Sequence, residues 1–471
     1  MENTATPTTT VPRYSYYALA VLTLINFLNY IDRQVLPSVA SFMQDDPQLR
    51  LTDSELGLIE GVLLFSYTIL APVFGRLGDR KSRTRLMASA AVIWSIATAC
   101  VGFADRLPFL PATVNLPFIA ISGGALAICL MRAVVGVGES SYSTITPTLI
   151  ADYFPPAKRA TALGIFQAAI PLGFALGFVI GGVLAGYFGW RFAFLIVGLP
   201  GLLASVLVWK LKEPVRGGTD LDAHGHEIPP PDPDAPQESW WKTTRRILFT
   251  SDWLLATAGY TALTFVLGAF ATWGTLMLAR DKGMSKTQAA VALGLVTLFG
   301  GAVGTFGGGW LADRLIKRRA DAYWLVCASS ALLGFIPALL AIVTGQSYFY
   351  LPAIFFAVLC VFLNNAPFHA ILLNSVPATI RASAVALNIV VIHACGDLLS
   401  RPGVGFLSDA LKEGGVGPVA KLAQLLGLNP VEQHLSSAML VAPLALLLSA
   451  GFYLWGAKKS AARAGLSDNA A

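Results

Sequence analysis

The sequence contains little charge: Asp, Glu, Lys and Arg make up only 13% of its 471 residues, while hydrophobic residues make up 55%. Soluble proteins carry about twice this charge, so a chain of soluble domains is excluded. Cysteine is also scarce, and the five cysteines stand singly in apolar runs without metal-ligand spacing. This excludes a disulfide framework and a thiolate metal site. The sequence also lacks the nucleophile constellation or metal cluster of a membrane enzyme, so we expect no enzymatic activity.

The apolar residues form long runs of about 20 residues, and each run can cross a hydrocarbon core of roughly 30 Å. We predict an all-α membrane protein with twelve transmembrane helices. The first run is about twice as long as a signal-peptide core, so we expect a retained helix. The predicted helices lie near 16–43, 54–76, 85–104, 118–150, 160–188, 192–211, 251–279, 287–312, 321–344, 349–375, 380–408 and 435–457.

The distribution of Lys and Arg predicts the orientation of the helices. With both termini in the cytoplasm, the inner segments hold 22 of these residues and the outer loops hold 8. Cytoplasmic loops are rich in basic residues, so we predict that both termini are cytoplasmic. The short loops favour a place in the cell (inner or plasma) membrane. The same bias explains the net charge of +6, so no nucleic-acid partner is expected. We expect a monomer whose partners are the bilayer and a substrate.

Two loop motifs occur twice along the chain. The segment "GRLGDRKSRTR" at 75–85 is repeated as "GWLADRLIKRR" at 309–319, and "DYFPPAKRATALG" at 152–164 is repeated as "NSVPATIRASAVA" at 374–386. Two pairs in the same order predict duplicated six-helix bundles related by a pseudo-twofold axis along the membrane normal. Two like halves with a site between them are typical of secondary transporters.

The hydrophobic pattern also gives the domain boundaries. We predict an N-terminal six-helix bundle over 1–211, a C-terminal six-helix bundle over 251–457 and a cytoplasmic tail over 458–471. The Pro-rich segment 212–250 is the predicted cytoplasmic linker. Its end, "SWWKTTRRILF", indicates a short amphipathic helix that lies in the membrane interface.

Charged residues inside the predicted helices mark the candidate site. Asp32 and Arg33 are adjacent in the first helix but point about 100° apart around it, so they do not simply neutralise each other. Asn29 shares a face with Arg33. An unpaired ion at this depth is costly, so a functional site is predicted. The alternative is a structural ion pair that holds helices together.

The fourth helix supplies possible partners, Arg132 and Glu139, which share one face. From their depths we expect Asp32 to contact Arg132 only while Asp32 is ionised, and protonation would release this contact. Arg33 then remains the free cation, and its guanidinium matches the oxygens of an anionic headgroup. We assign proton coupling to Asp32 and Glu139, and the alternative for Glu139 is that it closes an inner ion pair. Substrate binding is assigned to Arg33 with Asn29 and Arg132.

The eleventh helix carries a second polar stripe, formed by His393, Asp397 and Arg401 at four-residue spacing. Asp397 and Arg401 fit an ion pair within one helix. With His393 they form a second candidate site for a proton or headgroup, which we include among the substrate-binding residues. The alternative is an ion pair that tunes the outer gate.

Several stretches resemble a known family. "GRLGDRKSR" resembles the loop signature of the major facilitator superfamily. Within it, "NYIDRQVL", "RAVVGVGESSYSTITPTLIADYF" and "FQAAIPLGFALGFVIGG" together resemble the Spinster family. That resemblance implies proton-coupled transport of lysolipids or sphingosine phosphates, with the proton as coupling ion and no other cofactor.

The repeated loop motifs are the predicted gates. Gly75 allows close backbone approach, and Asp79 can bond the N-terminal end of a neighbouring helix. The resemblance implies that this contact joins the two halves on the cytoplasmic side. The remaining predicted gating residues are Arg80, Asp152, Arg159, Asp313, Arg314 and Arg381.

The main functional prediction is a proton-coupled secondary transporter of an amphipathic lipid, a lysophospholipid or sphingoid phosphate, that works by alternating access. The first half carries more intramembrane charge than the second, which suits a substrate with one polar end. One alternative is a proton-linked carrier of small organic anions, which needs cations from both halves, and Arg401 supports it. The other alternative is a lipid-binding receptor that does not transport.

Overall fold

The computed structural model describes residues 11–106, 111–115, 120–216, 240–376, 380–415 and 417–468, apart from the side chains of residues 76, 79, 156–157, 159–161, 381–382 and 463–468. Eleven stretches of helix within these ranges are long and apolar enough to cross a membrane. The remaining long helix is α1 (Arg13–Gln44), whose apolar content is lowered by Asn26, Asn29, Asp32 and Arg33.

The helices follow one another in the predicted order. The first half contains α1, α2 (Asp53–Arg80), α3 (Arg83–Val101), α4 (Gly123–Tyr153), α5 (Pro156–Phe188) and α6 (Trp190–Trp209). The second half contains α7 (Trp240–Leu248), α8 (Ser251–Arg280), α9 (Lys286–Ile316), α10 (Ala322–Val343), α11 (Ser347–Leu363), α12 (Asn365–Asn374), α13 (Arg381–Ile392), a π-helical turn (His393–Asp397), α14 (Leu398–Lys412), α15 (Gly417–Leu425), α16 (His434–Met439) and α17 (Val441–Asp468).

Four predicted helices differ from the structure at their ends or in their continuity, and one of them is the twelfth, which is interrupted at Leu440 between α16 and α17. Strands β1 (Thr113–Asn115) and β2 (Ala120–Ser122) form an antiparallel hairpin, so the fourth helix begins at Gly123 and not near 118. The tenth predicted helix is interrupted between α11 and α12 at Asn364, whose side-chain amide donates to the Cys327 carbonyl oxygen. The eleventh contains the π-helical turn. Apolar content does not encode these local backbone changes.

The predicted short amphipathic helix is present as α7. Thr243, Thr244 and Ile247 are buried on one face, while Trp240 and Trp241 are about 70% exposed on the other. A helix with one buried face and exposed tryptophans is suited to the membrane interface.

Close packing of α5 against α1 fixes the relative position of these two helices in the first half. A Cβ atom at Gly173 would lie 2.7 Å from the Phe27 carbonyl oxygen, and one at Gly177 would lie 2.6 Å from that of Ile31. Both distances are below van der Waals contact, so only glycine allows this approach. Small residues at four-residue spacing bring membrane helices together in this way. The packing holds the helix that carries Asp32 and Arg33 in a fixed position.

The two halves are joined at the end of the bundle opposite the termini, which we name the outer side. Both guanidinium nitrogens of Arg280 donate to the Asp53 carboxylate at 2.8 Å. The Asp409 carboxylate accepts from the backbone and hydroxyl of Ser54 at 2.8 and 2.6 Å. Asp409 in the second half therefore caps the first turn of α2 in the first half, where backbone amides favour an anion. We name Asp53, Ser54, Arg280 and Asp409 the outer clamp.

Ionic contacts also order the loops within the first half. Trp190 Nε1 donates to Asp46 at 2.9 Å, and Arg191 bonds both Asp46 and Asp105. Partial burial raises the pKa of Asp46, but the hydrogen bonds from Arg191 and Trp190 outweigh it and lower the pKa to about 2. The loop between α1 and α2 is thus tied to the start of α6.

On the inner side, where both termini lie, the start of the linker is bonded to the loop motif after α2. Arg83 Nε donates to Glu213 at 2.8 Å, and Arg216 donates to the carbonyl oxygen of Gly78 at 2.7 Å. Burial acts to raise the pKa of Glu213, but hydrogen bonds from Arg83 and the Thr84 amide lower it. Glu213 therefore stays charged and holds the linker against α3.

A substitution on α5 tests the packing. Gly177→Ala forces the Ile31 backbone away, and we expect overpacking to cost about 1–3 kcal/mol and lower the melting temperature in detergent. Gly164→Ala is the matched control on the same helix, because a Cβ there meets nothing within 4 Å. Equal melting temperatures for the two variants would contradict the close approach of α1 and α5.

Candidate functional site

Asp32 and Arg132 lie together in the core of the first half. Both are only 1% exposed, and Arg132 Nη1 is 3.8 Å from Asp32 Oδ1. The other carboxylate oxygen of Asp32 accepts a hydrogen bond from the Thr98 hydroxyl of α3. The predicted Asp32–Arg132 contact is confirmed as an ion pair whose atoms stand beyond hydrogen-bond distance.

Arg33 is paired as well. Its Nε donates to Glu139 Oε2 at 2.7 Å, so the prediction that Arg33 is the free cation is wrong in this conformation. The fourth helix begins at Gly123, which places Glu139 and not Arg132 at its middle. Helical side chains lean toward the N-terminus of their helix. Because α1 and α4 run in opposite directions, Arg33 leans inward and Glu139 leans outward, and the two meet.

Arg33 is the most accessible of the four charged side chains that α1 and α4 place in the core. Its side chain is 14% exposed, against 0% for Glu139 and 1% for both Asp32 and Arg132. The guanidinium carbon lies 4.7 Å from the centre of the Tyr67 ring and 5.3 Å from that of Tyr30. A guanidinium held between two aromatic rings is fixed in position while its remaining donors stay available.

Two asparagines near the pair have different surroundings. Asn26 Nδ2 donates to the Phe166 carbonyl oxygen at 3.0 Å, so it joins α1 to α5. Asn29 is 3% exposed, and its side-chain nitrogen makes no hydrogen bond to the described residues. A buried donor without a partner is costly, which keeps Asn29 a candidate for binding a polar group.

Glu60 of α2, for which the sequence leaves a structural and a functional role equally open, belongs to the charged site. It is 1% exposed, its Oε1 lies 3.9 Å from Arg132 Nη2, and its Oε2 accepts a hydrogen bond from Arg401 Nη1. The signal in the sequence is a lone acid two turns into an apolar helix, which must find a cation. Its partners come from two distant segments, so spacing could not identify them.

The eleventh-helix stripe does not pair as predicted. His393 Nδ1 lies 3.1 Å from Asp397 Oδ1, and Arg401 bonds to Glu60 in the other half. The predicted Asp397–Arg401 ion pair is therefore wrong, because the buried Glu60 carboxylate takes the guanidinium. The alternative, in which the Asp397–Arg401 pair tunes the outer gate, is wrong in its partner, since Arg401 pairs with Glu60 across the two halves.

The predicted gating residues lie outside the charged core. Arg80, Asp313 and Arg314 are exposed, while Arg83 Nη1 donates to Asp152 at 2.5 Å. The prediction that Gly75 allows close backbone approach is wrong in this conformation, since a Cβ there meets nothing within 4 Å. The outer clamp joins the two halves on the outer side. Further predicted gating side chains lie outside the described residues: Asp79, Arg159 and Arg381.

Three carboxylates and three guanidiniums thus form two paired groups within the membrane region. One group joins Arg33 to Glu139, and the other joins Asp32, Arg132, Glu60 and Arg401. Across the described residues, no cluster of three or more His, Cys, Asp or Glu side chains is placed to hold a metal ion. The chemistry available in this core is proton exchange on the carboxylates and anion binding by the guanidiniums.

Comparisons with known proteins agree with this architecture. The family model of the Major Facilitator Superfamily matches residues 22–396. Protein spinster homolog 1 of Bos taurus is 34% identical over 420 residues, covering 85% of this chain and 74% of that protein. Protein spinster of Drosophila melanogaster is 32% identical over 411 residues, covering 85% of this chain but only 63% of the longer relative.

A solved structure shares the fold. The crystal structure of a bacterial homolog to the human lysosomal transporter Spinster, inward-facing and unoccupied, superimposes with a TM-score of 0.78 at 22% identity. The match covers 96% of this chain and 99% of that one. The fold is therefore that of the major facilitator superfamily, with two six-helix bundles related by pseudo-twofold symmetry. The chain belongs to the Spinster family of this superfamily, a class of multi-pass membrane transporters and not of enzymes.

Proposed function

We propose that the protein transports an amphipathic lipid with an anionic headgroup, a lysophospholipid or sphingoid phosphate, and couples this transport to protons. The coupling residue is Asp32, with Glu139 as a second acid, and Arg33 binds the headgroup with Asn29 and Arg132. The transporter works by alternating access in the cell membrane as a monomer. The proton is the coupling ion, and no other cofactor takes part.

The observation that carries the proposal is the environment of Asp32. One carboxylate oxygen accepts from Thr98, and the other faces Arg132 at 3.8 Å without a hydrogen bond. A proton on this second oxygen breaks no hydrogen bond. It neutralises the negative charge that faces Arg132 in a buried environment of low dielectric constant. The electrostatic change is therefore large and local. A proton switch needs this combination of an easy chemical step and a strong structural consequence.

The charge distribution supports a substrate with one polar end. The first half contributes Asp32, Arg33, Glu60, Arg132 and Glu139 to the buried core, while Arg401 comes from the second half. One of the three core guanidiniums comes from the second half, so a compact anion held by cations from both halves has less support. The Arg33 side chain is 14% exposed beside its Glu139 partner and lies in the charge-rich half, which supports it as the anion site.

Asp32→Asn tests proton coupling. The variant carries no titratable group at this position, so we expect proton-driven lysolipid flux into proteoliposomes to fall by at least about tenfold while ligand binding persists. Glu432→Gln, in an exposed outer loop, is the matched control and should transport like the parent. Retained pH-driven flux in Asp32→Asn would exclude the proton role of Asp32.

The headgroup site is tested by ligand-induced thermal stabilisation, because ligands that bind the folded state raise its apparent stability. We expect lysolipids with an anionic head to stabilise the parent and small organic anions to have no effect. Arg33→Ala should lose the stabilisation at any pH. Glu139→Gln should keep or increase it, because the Arg33 guanidinium is released from its carboxylate partner.

A response to small organic anions alone would favour the carrier of small anions and reject the lipid substrate. Equal loss in Arg33→Ala and Glu139→Gln would mean that the pair acts structurally, and Arg33 would then have no role in headgroup binding.

A further inference from the structure

We propose that Glu60 relays the protonation state of Asp32 to the closure of the outer side, acting through Arg132 and Arg401. Glu60 is then a positioning residue that touches neither the substrate nor the transferred proton. This inference rests on the proposed function, because it takes Asp32 as the group that gains and loses the proton.

The geometry forms a continuous chain of charges. Arg132 lies between two carboxylates at nearly equal distances, 3.8 Å from Asp32 and 3.9 Å from Glu60. Glu60 in turn lies between two guanidiniums, those of Arg132 and Arg401. Asp32, Arg132 and Glu60 are each 1% exposed, so solvent does not screen these interactions.

The last link of the chain crosses the seam between the two halves. Glu60 belongs to α2 and Arg401 to α14, and a Cβ at Gly57 would lie 2.7 Å from the Arg401 carbonyl oxygen. Trp273 of α8 donates to the same carbonyl oxygen at 3.0 Å, which fixes the backbone of Arg401. The Glu60–Arg401 pair is therefore part of the contact that closes the outer side.

The charge balance indicates the direction of the effect. While Asp32 is ionised, Arg132 is shared between two carboxylates, and Glu60 binds Arg401 firmly. When Asp32 is protonated, Arg132 has only Glu60 as a buried carboxylate partner and competes with Arg401 for it. The weakened pair loosens α2 from α14. Protonation of Asp32 thus favours opening of the outer side, and deprotonation favours its closure.

The two neighbouring carboxylates are bonded to other residues, so they do not take the place of Asp32 or Glu60 in this chain of charges. Glu139 is bonded to Arg33 at 2.7 Å, and Asp397 is bonded to His393 at 3.1 Å. The titratable or charged groups near this chain and near the Arg33–Glu139 pair lie on α1, α2, α4, the π-helical turn and α14: Tyr30, Arg33, Tyr67, Glu139, His393, Asp397 and Arg401. Of these, Arg401 bonds Glu60 directly.

The test measures opening of the outer side as a function of pH. Spin labels at Gln48 and Glu413, both exposed on the outer side of opposite halves, report the distance across the seam once the native cysteines are replaced. We expect acidification to raise the ratio of open to closed outer side by about tenfold in the otherwise unmodified chain, a usual size for coupling between sites. Asp32→Asn should hold the outer side open at every pH.

Glu60→Gln should abolish the pH response. The amide oxygen of Gln still accepts from Arg401, so closure persists, but a neutral side chain no longer attracts Arg132. Ser54→Ala is the matched control: it removes a hydrogen bond of the outer clamp at the same seam, so it should shift the ratio toward the open state and keep the pH response. Arg132→Gln is a second variant that interrupts the chain while leaving Glu60 and Arg401 intact, and it should also lose the response.

The outcomes separate the relay from proton coupling itself. If the labelled parent responds to pH and the Glu60→Gln or Arg132→Gln variant responds equally, the relay is rejected, while proton coupling at Asp32 is not. A labelled parent without any pH response would reject proton coupling at Asp32 and the relay together. Loss of the response in Ser54→Ala as well as Glu60→Gln would assign the effect to general loosening of the seam and overturn the relay.

Discussion

The structure depends on one constraint: an ionic side chain that is removed from water inside the membrane region needs a partner of opposite charge. Three carboxylates and three guanidiniums meet this constraint in two groups, Arg33 with Glu139 and the chain from Asp32 to Arg401. Because every charged side chain depends on another, a change of charge at one carboxylate changes the ion pairs of the remaining residues. Transport by alternating access requires such a link between a chemical event and a movement of the two halves.

The packing of the helices positions these charges. The glycines of α5 bring α1 close, so Asp32 and Arg33 face α3 and α4 at fixed depths. On the outer side, the clamp holds the start of α2 against α8 and α14, which places Glu60 beside Arg401. Small residues thus set the positions, and the charged residues provide forces that can change with pH.

The sequence predicted much of the fold and part of the site. The apolar runs indicated the helices and the two repeated motifs indicated the two halves, because hydrophobicity and duplication can be read directly from the order of the residues. The Asp32–Arg132 contact followed from depth, but Arg33–Glu139 depended on where α4 begins, and a hairpin shifts that start to Gly123. The Glu60–Arg401 pair depends on how two halves dock, which the spacing within one helix cannot encode.

The central claim is that Asp32 itself takes up the proton while it faces Arg132. Infrared difference spectroscopy between acidic and alkaline pH measures this directly, because a protonated carboxyl group has a carbonyl stretching band that a carboxylate lacks. Other carboxyl groups of the chain also absorb there, so we predict that the band of the parent at acidic pH contains a component that Asp32→Asn loses and Ser54→Ala keeps. A band of unchanged intensity in Asp32→Asn would contradict the claim.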